Sequence, residues 1–209
     1  VVGDTVYAVG QFTSARPAGA APGTNEVPRS NAMAYDIRTG VMTSWAPAVN
    51  GRIRGISASP DGSRVYIVGS FTQVDGKTRS RIAAFNTSDG SLVSSFAPVI
   101  NSDAFSVTAT DQTVYVGGWF TAVSGLPRNH FARLHPNGSL DASYDPNANG
   151  SISSLAFQAD GKILAAGVFT SLAGQDRSYL ARLNADGSLD TNFNVSASYA
   201  VYTLATQPD

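Results

Sequence analysis

Residues that could carry acid–base or nucleophilic chemistry are few in this chain of 209 residues. Cysteine is absent, Glu26 is the only glutamate, and His130 and His135 are the only histidines. A glycosidase needs two carboxylates held several ångströms apart, and a nucleophilic hydrolase needs a base beside its serine. Neither histidine lies in a recognisable Ser or Asp motif. We therefore predict a non-catalytic protein, and a hydrolase acting on polysaccharide is the least favoured alternative.

Oxygen donors alternate around a glycine near the end of the chain, where Asn184, Asp186, Ser188 and Asp190 flank Gly187. This spacing is typical of calcium loops, but the terminal glutamate of such loops is missing. Asn and Asp side chains in Asx-Gly turns bond their own backbone without a metal. The sequence therefore predicts no metal and no cofactor, and leaves open whether these turns bind calcium.

Four arginines recur at steps of 50, 49 and 49 residues: Arg29, Arg79, Arg128 and Arg177. Repetition in every copy indicates a packing role, in which each arginine ties a loop to backbone carbonyls or to a neighbouring carboxylate. A ring of arginines that holds an anion is the alternative.

A Gly-x-Phe-Thr unit precedes each arginine and defines the repeat. It occurs at Gly10-Phe12-Thr13, Gly69-Phe71-Thr72, Gly118-Phe120-Thr121 and Gly167-Phe169-Thr170. The spacing from phenylalanine to arginine is eight residues in the last three copies and 17 in the first. The first copy thus carries nine extra residues, within Ala15 to Val27, which we predict to be a surface loop. Repeats of this length indicate a fold in which one structural unit is repeated and neighbouring units stack on each other.

Each copy is predicted to form four short strands. Ile152 to Phe157 leads into Asp160-Gly161 and out through Ile163 to Phe169, and Asp-Gly between apolar runs is a strong hairpin signal. A second turn follows at Asp186-Gly187. No helical period is sustained, so the fold class is all-β.

Four-stranded units of this kind must stack to bury their faces, and radial stacking gives a β-propeller. We predict one domain over 1–209, with repeats at about 1–50, 51–101, 102–150 and 151–200. Residues 201–209 align with the first strand of the fourth copy. They are predicted to close a ring of four four-stranded blades by pairing with the N-terminal blade. The alternatives are a part of a larger propeller, or two chains that combine into an eight-blade ring.

The stretch from Asp160-Gly161-Lys162 through Phe169-Thr170 to Leu180-Ala181-Arg182-Leu183-Asn184 and Phe193 resembles the delta-60 repeat of bacterial β-propeller proteins. Copies one and two depart from it, with Tyr35-Asp36 and Phe85-Asn86 in place of Leu183-Asn184. The resemblance implies a propeller in a large, often exported or surface-attached bacterial protein. It implies no common catalytic activity.

Charge and composition narrow the partners and the compartment. The net charge of −1 comes from 14 basic and 15 acidic side chains that are scattered along the chain, so no nucleic-acid partner is expected. No apolar run approaches the roughly 20 residues of a bilayer span, so no membrane insertion is expected. Few Lys and Glu against many Ser, Thr, Asn and Gly favour a secreted or cell-surface protein. The chain is expected to be a monomer or to assemble with further repeats.

Two positions vary while the framework repeats, and they are candidates for specificity. The first holds Gln11, Ser70, Trp119 or Val168, and the second holds Asn31, Arg81, His130 or Tyr179. The predicted ligand-binding residues are Trp119, His130, Arg81 and Tyr179, on one face together with the insertion loop. For Trp119 the alternative is that it fills the gap to the next blade.

These residues predict a non-catalytic extracellular binding or scaffold propeller that recognises a carbohydrate or a protein partner at a loop rim. A purely structural repeat unit of a larger bacterial surface assembly is the alternative.

Overall fold

The computed structural model describes residues 1–206, and these residues form strands, turns and loops without a helix. Each repeat contributes one antiparallel sheet and one two-stranded ribbon. The predicted closing segment extends to residue 209, and its residues 207–209 lie outside the described part of the chain.

The strands follow the repeat order. Sheet 1 consists of β1 (Thr5–Val9) and β4 (Ala32–Asp36), with the ribbon β2 (Ser14–Ala15) and β3 (Val27–Pro28). Sheet 2 consists of β5 (Ile53–Ala58), β6 (Arg64–Gly69) and β9 (Ile82–Asn86), with the ribbon β7 (Gln73–Val74) and β8 (Lys77–Thr78). Sheet 3 consists of β10 (Ala104–Ala109), β11 (Val114–Gly118) and β14 (Phe131–Leu134), with the ribbon β12 (Ala122–Val123) and β13 (Leu126–Pro127). Sheet 4 consists of β15 (Ile152–Phe157), β16 (Ile163–Gly167) and β19 (Leu180–Leu183), with the ribbon β17 (Ser171–Leu172) and β18 (Gln175–Asp176).

The predicted hairpin of the fourth repeat is confirmed. β15 pairs antiparallel with β16 across the Asp160-Gly161 turn, where Gly161 takes a φ of 83° that disfavours other residues. The predicted fourth strand is reduced to a single bridge in each repeat, as between Leu183 and Leu189. The chain leaves the sheet there because the Asp190 side chain accepts a hydrogen bond from the backbone N–H of Asn192, which starts a turn.

Three cores hold the four sheets together. They lie between sheets 1 and 2, between sheets 2 and 3, and between sheets 3 and 4. We call the face of a sheet toward the preceding repeat its near face, and the face toward the following repeat its far face. Between sheets 2 and 3, for example, Tyr66 and Ile82 of the far face pack against Val116 and Phe120 of the near face.

The glycine that ends the second strand of a repeat allows a close backbone approach. A Cβ on Gly69, Gly118 or Gly167 would clash with the carbonyl oxygen that precedes the first strand of the same sheet. These oxygens belong to Arg52, Asp103 and Ser151. Gly10 differs, because a Cβ there would meet only the Phe12 ring, at 3.5 Å.

The tail, residues 201–206, makes hydrogen bonds to sheet 4. Its Val201 N–H donates to the Gly167 carbonyl (3.2 Å), and its Leu204 N–H donates to Ser154 Oγ (3.1 Å). Within the described residues β1 pairs in a sheet only with β4. The expected closure of the ring by pairing of the tail with β1 is therefore not formed in these residues.

Candidate functional site

One cavity of about 960 Å³ collects residues from all four repeats and from the tail. We call it the shared cavity. Its walls are formed by Val9, Gly10, Gln11, Arg52, Ile53, Arg54, Phe105, Trp119, Ser151, Ser153, Val168 and Tyr202. A concave site lined by a few polar groups and several aromatic rings is the usual form of a ligand site.

Two repeat positions supply most of this lining. The first is the residue after the strand-ending glycine, represented by Gln11, Trp119 and Val168. The second is the second residue of the first strand, represented by Arg54, Phe105, Ser153 and Tyr202. These positions lie together because the first and second strands pair there, as Ile53 does with Gly69.

Trp119 presents its side chain to the cavity. It is 65% exposed, whereas the next residue, Phe120, is fully buried in the core between sheets 2 and 3. Alternation of side chains along the strand direction separates the two rings. Trp119 therefore does not fill the gap between sheets, and its ring is accessible to a partner.

Arginine gives the cavity a positive wall on sheet 2. Arg52 and Arg54 are both exposed, and the Arg54 guanidinium lies 5.1 Å from the centre of the Phe105 ring. Arg54 also pairs with Asp103 at 3.4 Å, and Ser70 donates to the same carboxylate at 2.8 Å. The Asp103 carboxylate holds Arg54 in place next to the ring, while Arg52 remains available to an anionic group.

Arg81, His130 and Tyr179 have a structural role in the backbone, which they share with Asn31. All four residues have a left-handed φ between 63° and 71°. Each donates its N–H to the carbonyl of the repeat phenylalanine and accepts from the N–H of the strand-ending glycine; His130, for example, bonds Phe120 and Gly118. This position clamps the end of the second strand to the start of the third.

The side chains at this position point into the junctions between repeats. Arg81 lies 3.7 Å from Asp103, and Tyr179 packs on Tyr199 with 6.2 Å between ring centres. Burial lowers the pKa of the His130 imidazole below its ordinary value, so this side chain is neutral at pH 7. Of the four predicted binding residues, only Trp119 lies among the residues that line the shared cavity.

The insertion loop also lies apart from the shared cavity. Residues 16–26 connect β2 to β3 and are mostly exposed, as predicted. Pro17 and Ala18 border a separate groove with Val41 and Met42.

The repeated arginines tie loops together in the first three repeats. Arg29 donates to the Thr43 carbonyl, Arg79 to the Val93 carbonyl, and Arg128 to the Ala142 carbonyl. Arg128 also pairs with Asp145 at 2.7 Å. These contacts match the predicted packing role.

The Asx-Gly turns bond their own backbone. Asp186 accepts hydrogen bonds from the N–H and hydroxyl of Ser188, and Asn137 accepts the same pair from Ser139. Among residues 1–206, no group of three or more His, Cys, Asp or Glu side chains is placed to hold a metal ion.

A smaller cleft of about 420 Å³ lies between sheets 1 and 2. Its aromatic residues, Tyr7 and Trp45, belong to the core between these sheets, and Trp45 is buried. The described residues of this cleft come from two repeats, whereas those of the shared cavity come from all four. The shared cavity is therefore the stronger candidate site.

Four sheets built from one repeat and stacked face to face define an all-β repeat protein of the β-propeller class. A family model described as a domain of unknown function (DUF5122) beta-propeller matches residues 60–96, 110–144 and 158–193, which together make up more than half of the chain. The chain belongs to this family.

Curated proteins and solved structures provide two further comparisons. No curated protein matches the sequence of this chain. Among solved structures, hydrazine synthase from Kuenenia stuttgartiensis is similar to 76% of this chain, with 12% sequence identity and a TM-score of 0.48. The chain spans 41% of the length of that protein. In the described part of the chain no helix is long and apolar enough to cross a membrane.

Proposed function

We propose that this chain is a non-catalytic binding module that takes a carbohydrate into the shared cavity. The observation that carries this proposal is the exposed Trp119 ring in a cavity to which every repeat contributes. Exposed aromatic rings stack on the apolar faces of sugar rings, and a tryptophan has the largest such ring.

The charge of the lining favours an acidic carbohydrate. Arg52 and Arg54 border the cavity, and its described lining contains neither Asp, Glu nor His. Planar arginine side chains bind carboxylate and sulfate groups in pairs of hydrogen bonds. A lining without a carboxylate pair or a histidine offers no general acid and base, which supports a binding role over hydrolysis.

The proposal also includes the type of the repeat and the location of the protein. The residues that resemble the delta-60 repeat, Asp160 to Phe193, coincide with the family match over 158–193. We assign the repeat to that type, each sheet to one propeller blade, and the protein to the cell surface or the secreted fraction. A protein ligand at the same cavity is the second candidate, because aromatic and arginine side chains also dominate protein interfaces.

Affinity electrophoresis in gels that contain alginate, heparin or neutral dextran tests this function. We expect retardation by one of the acidic polysaccharides, and a loss of tenfold or more in affinity for Trp119→Ala, which corresponds to about 1.4 kcal/mol. Leu126→Ala is the matched control, because Leu126 is an exposed apolar residue outside the cavity. Equal migration in all three gels, with a folded protein, would contradict carbohydrate binding.

A further inference from the structure

Two faces of the stack are left partly uncovered: the near face of sheet 1 and the far face of sheet 4. The near face of sheet 1 carries Val6, Ala8, Phe12, Met33 and Tyr35, all of intermediate exposure. Their equivalents in sheets 2, 3 and 4 are almost completely buried, as Phe71, Phe120 and Phe169 are at 0% exposure. The near face of sheet 1 therefore has the residues of a core without the neighbour that buries them.

The far face of sheet 4 shows the same deficit. Leu180 and Phe193 are of intermediate exposure. Their equivalents in sheet 3, Phe131 and Tyr144, are fully buried. Each of the three internal junctions joins a far face to a near face. The two uncovered faces, one far and one near, could form a junction of the same kind.

Strand edges at the two ends are complementary as well. β6, β11 and β16 each pair with a first strand, but β1 lacks one among the described residues. The tail holds the position of a first strand beside sheet 4, because its Leu204 N–H donates to Ser154 Oγ as the Leu155 N–H donates to Ser106 Oγ. One end lacks a first strand, and the other end supplies one.

Gly10 supports the same arrangement. In the other repeats this glycine makes room for the carbonyl oxygen that precedes a first strand. Around Gly10 that space is not taken by any described residue, since a Cβ there would meet only Phe12. The equivalent carbonyl in the tail belongs to Ala200.

We propose that a second copy of this chain covers these surfaces, with the far face of sheet 4 of each copy packed on the near face of sheet 1 of the other. The tail of one copy pairs antiparallel with β1 of the other, with Val201 opposite Gly10 and Leu204 opposite Ala8. This register repeats the pairing of Ile152 with Gly167 and of Leu155 with Ala165. Propellers contain four to eight blades, and two copies with four sheets each make a ring of eight. Among the described residues the tail does not pair with β1 of its own chain, so that strand edge is open to the tail of the second copy.

Arg182 would make a further contact across this junction. Its equivalent, Arg133, donates to the Ala185 carbonyl in the next repeat at 2.8 Å. Within the described residues Arg182 makes hydrogen bonds only through Nε, to Asp190. The carbonyl equivalent to that of Ala185 in the first repeat is that of Ile37, which is 54% exposed and lies on the surface that the second copy covers.

Single-cysteine variants test the register, and the natural chain has no cysteine to interfere. Chains with Ala8→Cys are mixed with chains with Leu204→Cys and oxidised mildly, and we expect a disulfide-linked dimer on a non-reducing gel because opposed strand residues lie close enough for a disulfide. A mixture of Ala8→Cys with Leu126→Cys is the control for random collision and should stay monomeric. Absence of the linked dimer in the first mixture overturns the proposal.

Two further measurements separate a second copy from closure within one chain. The Ala8→Cys, Leu204→Cys double variant would form a disulfide within one chain if the ring closed at four sheets, and that result overturns the proposal. Light scattering on the unmodified chain should give twice the mass of one chain. Gly10→Ala should give the mass of one chain with an unchanged circular dichroism spectrum, because it blocks only the approach of the partner's tail. A single-chain mass for the unmodified protein at high micromolar concentration also overturns the proposal.

Discussion

Sheets 3 and 1 are built from the same repeat but differ in how many of their faces are covered. Sheet 3 contributes to two cores, with Phe120 on one face and Tyr115 on the other. Sheet 1 contributes to one core through Ala32, Ala34 and Trp45, while Phe12 on its other face is half-buried. In a stack where each unit contacts only its neighbours, stability is approximately a sum over junctions. The same side chain should therefore contribute more to the free energy of unfolding in sheet 3 than in sheet 1.

Replacing the repeat phenylalanine should reveal the largest difference. Phe120→Ala removes a fully buried ring from the core between sheets 2 and 3, and we expect it to lower the free energy of unfolding by about 3 to 5 kcal/mol. Phe12→Ala removes the equivalent half-buried ring, and we expect about half that loss. Urea denaturation at low protein concentration measures both.

Protein concentration sharpens this first comparison. If two copies associate, Phe12 becomes buried at the new junction, and the cost of Phe12→Ala should rise with concentration. Equal losses for the two variants at every concentration would show that sheet 1 is covered in a way that the structure does not contain.

Acid should weaken sheet 3 through Asp141. Hydrogen bonds from Ser143 and the contact with Arg133 lower the pKa of Asp141 to about 2, from an ordinary value of 3.8. A lowered pKa means that the carboxylate stabilises the fold above the ordinary value and that this stabilisation is lost as the pH falls toward 2. In sheet 1 the equivalent residues are Ala34 and Thr43, so this ion pair is missing there. The pKa of Asp36, at the end of β4, is also lowered by hydrogen bonds from Thr39, so the Asp141→Asn variant, and not acid alone, distinguishes the two sheets.

Asp141→Asn should accordingly destabilise the protein at pH 6 by about 1 to 2 kcal/mol, with a deficit that shrinks below pH 4. Hydrogen exchange of β14 and of β4 distinguishes the two sheets. Asp176→Asn, at an exposed aspartate on β18, is the control and should stay within about 0.5 kcal/mol of the parent protein. A deficit that is constant from pH 6 to pH 2 would contradict the assigned role of the carboxylate.

Ala173 is expected to give the smallest effect. It has a left-handed φ of 53° in the turn between β17 and β18, where sheets 2 and 3 have Asp75 and Ser124. Since Asn tolerates this conformation better than Ala, Ala173→Asn should stabilise the protein by up to about 1 kcal/mol. Asp75→Asn is the matched control, with little expected change, because the amide oxygen can still accept from the Ala48 N–H. A lower melting temperature for Ala173→Asn would show that its contact with the core outweighs backbone strain.

Part of the candidate site could be predicted from the sequence. Trp119 can be identified from the sequence because it varies at a repeated position. Arg54, Phe105 and Tyr202 were missed, although the first-strand alignment contains a signal, since each follows an equivalent apolar residue: Ile53, Ala104 and Val201. Arg81, His130 and Tyr179 show the same kind of variation, but their position tolerates different side chains because its role is performed by backbone hydrogen bonds.

The repeat, the hairpins and the all-β class can be predicted from the sequence alone. These features depend on local chemistry, such as the Asp160-Gly161 turn and the alternation of apolar residues in β15. The short ribbons are equally local, since Asp75-Gly76 and Ser124-Gly125 are two-residue turns with positive φ at both positions.

The stacking of the sheets determines which faces are covered and which side chains meet in the cavity. Phe12 and Phe120 are equivalent in sequence, yet their burial differs, because burial is a property of the neighbouring sheet and not of the residue. Trp119 and Tyr202 are more than 80 residues apart along the chain and line one cavity. Whether two such distant side chains lie close together depends on how several sheets stack, and no local sequence pattern predicts it.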